Sequence, residues 1–163
     1  MTLTKKMPEE SRVWIYQADR SFTNEELAEL QKRVSDFVDK WTSHSKLVNA
    51  YFEWRYNRFL ILFLDEGHVA AGGCSIDSSV HFVKTLEKDF QTNMTDRMMF
   101  AFKAGNEVEV VSRFEFEKLI GDGVVTDQTI VFNNLVNTKR EFDSAWEIPF
   151  NQSWHKQFFV LKA

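Results

Sequence analysis

Residues 59–64, Phe-Leu-Ile-Leu-Phe-Leu, carry no polar side chain, and this run limits the fold more than any other feature of the chain. A strand points successive side chains to opposite faces, so a strand apolar at every position needs cover on both. The protein must therefore supply two layers, one for each face. The stretch before it behaves differently: Phe52, Trp54 and Tyr56 alternate with Tyr51, Glu53 and Arg55, the period of a half-exposed strand. A tight turn near Tyr56-Asn57-Arg58 joins the two into a hairpin.

The first layer is legible as helices. In "FTNEELAELQKRVSDFVDKW" Thr23 and Glu26 form a capping box, with Phe22 and Leu27 at the staple positions around it. Leu27, Leu30, Val34, Phe37, Val38 and Trp41 then share one face. A second helix is expected over Ile76–Phe90, with Ile76, Val80, Val83, Leu86 and Phe90 on one side. "RVWIYQA" reads as a first strand, offering Trp14 and Tyr16 to one face and Val13 and Ile15 to the other. "RMMFAFKAGNEVEVV" reads as a hairpin turning at Ala104-Gly105-Asn106.

The order βαββαβ predicts an α+β, ferredoxin-like fold, an antiparallel sheet with two helices on one face, extended by an extra strand. The second layer must then come from the C-terminal part. Ser112 with Glu115 and Thr138 with Glu141 mark two more helix starts, and "QTIVFNNLV" reads as a strand. The end of the chain is aromatic, with Trp146, Phe150, Trp154, Phe158 and Phe159 available to cover the open sheet face. One domain over 1–163 is expected, with a core at 12–111 and a covering layer at 112–163.

Bulk properties narrow the functional classes. The formal charge of −4 repels a phosphate backbone unless the basic residues gather on one face. RNA-recognition modules share βαββαβ, but their third strand carries glycine and aromatics where this chain has "RFLILFL". No nucleic-acid partner is expected. The single cysteine, Cys74, excludes an internal disulfide and suits a reducing compartment. The opening residues hold no apolar stretch of a secretory signal, and no run approaches the ~20 residues of a spanning helix. A cytoplasmic protein without a membrane partner is the expectation.

"LFLDEG" resembles the acidic strand of nucleotide-hydrolysing ATPases, yet none of the six glycines opens a G-x-x-x-x-G-K-[ST] cradle for the phosphates. The strings "VWIYQ", "RYNRF", "GGCSIDSSVHF", "VFNNLV" and "SWH" resemble a family of small, uncharacterised bacterial proteins, many of which carry the label "ABC transporter ATPase". The resemblance spans most of the chain and implies no catalytic residues. The phosphate loop and the "LSGGQ" signature of such ATPases are both missing from this sequence, so ATP hydrolysis is not expected.

Two constellations carry possible chemistry. Cys74, Asp77 and His81 fall on one face of the second helix, near its N-terminus, where the dipole favours a thiolate. They read either as nucleophile, carboxylate and base or as an ordinary solvated face. At the other end of the sheet the fold gathers Asp19, Arg20, Asn57, Arg58, Asp96 and Arg97. There Arg20, Arg58 and Arg97, with Asn57, could hold a phosphate or carboxylate; surface ion pairs are the plainer alternative. Asn133-Asn134 and Trp154-His155 place polar groups among aromatics, either lining a pocket or bonded within the core. One cysteine and four scattered histidines do not match metal-ligand spacing, and no cofactor motif is present. The leading reading is a non-catalytic module binding a small ligand or a protein; the alternatives are a thiol enzyme and an anion binder.

Overall fold

In the computed structural model, which describes residues 7–43, 46–47, 49–65 and 73–158, the apolar run is the middle strand of a three-stranded antiparallel sheet. The element order begins β1 (Arg12–Gln17), α1 (Asn24–Lys40), the two-residue β2 (Thr42–Ser43) and β3 (Lys46–Leu47), β4 (Asn49–Arg55), β5 (Phe59–Asp65) and α2 (Gly73–Phe90). It continues with β6 (Met99–Ala104), β7 (Glu107–Ser112), α3 (Arg113–Gly121), β8 (Ile130–Phe132), α4 (Lys139–Ala145) and β9 (Glu147–Pro149). Two 3-10 turns, Phe150–Gln152 and Trp154–Phe158, follow. The chain is α+β, with a ferredoxin-like βαββαβ core extended by β7 and a C-terminal layer of helices and short strands.

The central strand distributes its side chains as its composition requires. Leu60, Leu62 and Leu64 pack with Tyr16, Leu30, Val34, Trp41, Val83 and Leu86 beneath α1 and α2. Phe59, Ile61 and Phe63 face the other way, into a cluster with Val13, Ile15, Phe132, Phe142 and Trp146. All six are fully buried. A third cluster, Phe100, Phe102, Phe116, Val131 and Phe150, lies beyond it between the second sheet and α3. Trp146, Phe150 and Trp154 thus belong to the apolar interior of the C-terminal half; Phe159 and the Phe158 side chain lie outside the described residues.

Local signals explain the boundaries. Both bonds of the Thr23–Glu26 capping box form at the start of α1. Ser112 and Thr138 accept from the Glu115 and Glu141 amides at the starts of α3 and α4. The β4–β5 connection is the three-residue loop Tyr56-Asn57-Arg58, closed by the Arg58 N–H donating to the Arg55 carbonyl at 3.1 Å, with Tyr56 and Asn57 both left-handed at φ 54° and 57°. Gly105, at φ 67°, makes the β6–β7 turn. Helix α2 begins at Gly73, earlier than the Ile76 start its apolar stripe suggests.

The fourth strand of the core does not extend the first ladder. β6 pairs with β7 and β8, and β9 completes a second sheet in the order β7-β6-β8-β9. The outer edge of β1 is met in other ways. Val13 N–H donates to the Asn137 carbonyl at 3.0 Å, and Arg12 bridges Thr138. At its far end Gln17 Nε2 donates to the Met99 carbonyl at 3.1 Å. Side chains and a loop therefore satisfy backbone groups that a neighbouring strand would otherwise take. The two sheets diverge from that point, and a cavity opens beside it.

Candidate functional site

At one end of the sheet the segments around Asp19, Asn57-Arg58 and Thr92-Asn93 meet. Ala18 N–H donates to the Arg58 carbonyl at 2.9 Å, Phe22 N–H to the Asn57 carbonyl at 2.8 Å, and Asp19 N–H to the Asn93 carbonyl at 3.0 Å. The Asp19 carboxylate takes the Thr92 hydroxyl at 2.7 Å, so the loop from Thr92 to Met98 is moored to β1. Glu87 moors it to α2, its Oε2 accepting the Met94 and Thr95 amides and the Thr95 hydroxyl at 2.6, 3.0 and 2.9 Å. This loop carries Asp96 and Arg97.

The three arginines have separate environments. Arg20 grips Glu26 with both terminal nitrogens, at 2.9 and 2.8 Å, and also donates to the Phe90 carbonyl. That pairing, with the Thr23 amide, pushes the Glu26 carboxyl down to about 2. Arg58 is half-buried. Burial lowers its pKa against the opposing pull of Glu109, Asp19 and Glu107, and its Nε is enclosed without a hydrogen-bond partner among the described residues. Asn57 is exposed at the hairpin tip. Arg97 is exposed and turns toward a different space, a cavity of about 330 Å³ between β1, α2, the 92–98 loop and the C-terminal turns.

Tyr16, Gln17, Lys84, Thr95, Asp96, Arg97, Asn134 and His155 supply the polar lining of that cavity, and Ile15, Val80, Phe132 and Trp154 are among its apolar walls. Its volume falls at the lower end of the ~300–1,000 Å³ typical of small-molecule sites. The floor is wired. The Trp146 indole N–H donates to Asn134 Oδ1 at 2.8 Å, Asn134 Nδ2 donates to Gln17 Oε1 at 2.8 Å, and Gln17 passes the direction on to the Met99 carbonyl. A second wire runs into α2. Ser79 donates to the Ile76 carbonyl at 2.8 Å, so the Tyr16 hydroxyl, 2.9 Å away, is the donor to Ser79 Oγ. Burial raises the Tyr16 pKa, with Ser79 and the Arg97 charge opposing the rise, and the phenol stays neutral.

His155 closes the inner wall. It stacks on Trp154 at 4.0 Å and meets the edge of Phe100 at 5.2 Å. Its Nδ1 lies 2.6 Å from the Ser153 hydroxyl. Burial pushes its pKa down to about 4, so the imidazole is neutral at physiological pH. Asn134, Trp154 and His155 each make internal contacts and also line the cavity, whereas Asn133 is not among its lining residues and its Oδ1 accepts the Leu135 amide at 3.2 Å.

Cys74 lies in the first turn of α2, and its side chain is outside the described residues. Asp77 and His81 are both exposed on that helix. Among the described residues no group of three or more His, Cys, Asp or Glu side chains is placed to hold a metal ion, and no helix is long and apolar enough to cross a membrane.

Sequence reasoning did not single out Gln17, Tyr16 or Lys84. Lys84 follows Val80 by one helical turn on α2, and a polar residue closing the apolar stretch Val13 to Tyr16 is the one signal Gln17 gives. No protein-family model, curated protein or solved structure matches the chain.

Proposed function

We propose that this protein is a non-catalytic ligand-binding module that holds a small molecule in the cavity between β1, α2 and the C-terminal turns. The observation that carries this reading is the wired floor. Gln17 and Asn134 have their amide oxygens engaged by Asn134 and Trp146, which fixes both amides in one orientation. Each keeps a second amide hydrogen beyond the bond it donates to its neighbour. Such fixed groups beside apolar walls are how small-molecule sites set orientation. A catalytic reading is less supported, because Ser79 donates its proton to Ile76 and the Tyr16 phenol is held neutral. The reading also leaves out ATP hydrolysis, since the chain has no phosphate loop.

The test is a fragment screen by nuclear magnetic resonance on the full chain, followed by Val80→Phe to fill the cavity. Binders should shift the Gln17 and Asn134 side-chain amides and the Trp154 indole, and should lose affinity in the Val80→Phe protein. Fragments that map only elsewhere, or that bind the filled protein equally well, would remove the cavity as the site.

A further inference from the structure

We infer that the cavity selects an anionic ligand, a carboxylate or phosphate ester carried on a compact apolar body. This rests on the cavity being the binding site and adds the chemistry of the ligand. The lining is rich in donors. Arg97 and Lys84 bring two cations to it, both exposed, and neither is in an ion pair among the described residues. The second amide hydrogens of Gln17 and Asn134 add neutral donors at the floor.

The acceptors of the lining are mostly neutral: the Tyr16 and Thr95 hydroxyls already donate to Ser79 and Glu87 and keep only oxygen lone pairs. The amide oxygens of Gln17 and Asn134 are occupied. Asp96 is the one carboxylate among the described lining residues, and its Oδ1 accepts the Met98 amide at 2.9 Å. His155 is neutral and brings no charge of its own. A ligand that matches this lining must be acceptor-rich at one end, and a guanidinium fork suits a carboxylate or phosphate best. The other end meets Ile15, Val80, Phe132 and Trp154, which favour an uncharged apolar group.

Arg97 is also held in place for the task. The loop on which it stands is fixed from two sides by Asp19 and Glu87, so the site need not be ordered when the ligand arrives. Arg20, by contrast, is already committed to Glu26 and Phe90.

Four probes on the same phenyl body separate charge from shape: benzoate, phenyl phosphate, benzamide and benzylamine. Titrated into the full chain and followed at the Gln17, Asn134 and Trp154 signals, benzoate or phenyl phosphate should bind at least ~10-fold more tightly than benzamide, the scale of a charge-assisted hydrogen bond. Benzylamine should bind more weakly than benzamide. The Arg97→Met/Lys84→Met double variant, altering two exposed side chains, should bring both anions down to the benzamide level. The relative response of the two anions tells carboxylate from phosphate. Benzamide or benzylamine binding as well as the anions at those same signals would overturn the charge selection while leaving the cavity as a site. Anion affinity unchanged in the double variant would overturn it as well. If none of the four moves the signals, the inference fails, while fragments of other chemistry that do move them would keep the cavity reading alive.

Discussion

The two faces of β5 are equally buried but differently built. The helix side is covered by α1 and α2, one preceding and one following the β4–β5 hairpin, and its β5 side chains are all leucine. The C-terminal side is covered largely by residues 132–146, far along the chain, and two of its three β5 side chains are rings: Phe59 and Phe132 lie 4.8 Å apart, and Trp146 meets Phe59 edge-on at 5.0 Å. The helix side is mainly apolar, with the Tyr16–Ser79 hydrogen bond set into it. The cavity lies at the edge of β1, with α2 on one side and the hydrogen-bonded amides of the C-terminal side on the other. Rings occur on the helix side too, with Phe37 stacked on Phe82 at 4.4 Å and Trp14 edge-on to Trp41 at 5.9 Å, so the two sides differ in their hydrogen-bonded amides and not in aromatic content. Indoles and amides fix direction, which a recognition site needs.

Deleting residues 144–163 would break this comparison most completely. It removes Trp146 from Phe59, Phe132 and Phe142, and Phe150 and Trp154 from the third cluster. Losing even two such buried rings costs about 6–10 kcal/mol at the usual 3–5 kcal/mol each, comparable to the whole stability of a domain. The truncated protein should bind a hydrophobic dye and lose its cooperative melt. A truncation that melts cooperatively at the full-length temperature would show that the C-terminal side is not part of the same folding unit.

Acid should distinguish the two sides. His155, in the C-terminal half, is held at about 4 against an ordinary value of 6.5. Its contribution is complete above pH 6.5 and is lost as pH falls toward 4, because the unfolded chain takes up a proton that the buried ring refuses. The full loss is about 3 kcal/mol at 1.36 kcal/mol per unit. Glu26, on the helix side, is lowered from 4.5 to about 2, so its contribution persists to lower pH and fades only below 4.5. Stability measured by denaturant between pH 7 and 4 should therefore fall in the native protein and flatten in His155→Phe. An unchanged slope in that variant would assign the acid sensitivity to another group. Hydrogen exchange should show amides around Phe150–Lys156 losing protection before those of α1.

The wired floor offers a smaller perturbation confined to the C-terminal side. Asn134→Ala leaves the indole N–H of a buried tryptophan and the Gln17 amide oxygen without partners. An orphaned buried polar group costs about 1–3 kcal/mol, so this variant should lose about 2 kcal/mol by denaturant melt and also weaken fragment binding. Leu30→Ala, on the helix side, should cost at least as much stability yet leave binding intact. Equal binding by both variants would show that the wire serves packing alone.

The difference between the sides also explains what the sequence disclosed. Alternation in β1, the uniform run of β5, three capping signals and two hairpin turns are local patterns, and each appears where those patterns place it. The gathering of Asp19, Asn57, Arg58 and the 92–97 segment followed from topology alone. Three-residue β9, which contains Pro149, was not visible, because so short a strand has no period and is created by its pairing to β8. The cavity was not visible either. It draws on β1, the middle of α2, the 92–98 loop, the segment after β8 and the last turn. Arg97, Asn134, Trp154 and His155 stood out as residue types, but only the divergence of the two sheets makes them neighbours.

The finest test concerns the clasp that joins the hairpin tip to the second sheet. Tyr56 occupies a left-handed conformation, φ 54°, which disfavours a side chain with a Cβ by about 1–2 kcal/mol. Its compensation comes from across the molecule. The hydroxyl donates to Glu147 on β9 at 2.8 Å, Lys103 on β6 reaches the same carboxylate oxygen at 2.6 Å and lies over the Tyr56 ring, and the ring meets Phe132 at 5.4 Å. The clasp is solvent-accessible, so its polar part is weak: Tyr56→Phe should cost only about 0.5 kcal/mol, at the low end for a hydrogen bond. Tyr56→Gly removes the backbone strain along with the ring, and the two effects oppose each other at about 1–2 kcal/mol apiece. It should therefore end within about 1 kcal/mol of the native protein despite deleting a tyrosine. A Tyr56→Phe, Glu147→Gln double-mutant cycle isolates the hydroxyl–carboxylate coupling. Coupling near zero would leave the ring contact alone joining the hairpin to the second sheet. A coupling well above 1 kcal/mol would mean that the clasp is drier and tighter than its exposure allows, and that the hairpin is tied to the second sheet at the surface as firmly as through the core.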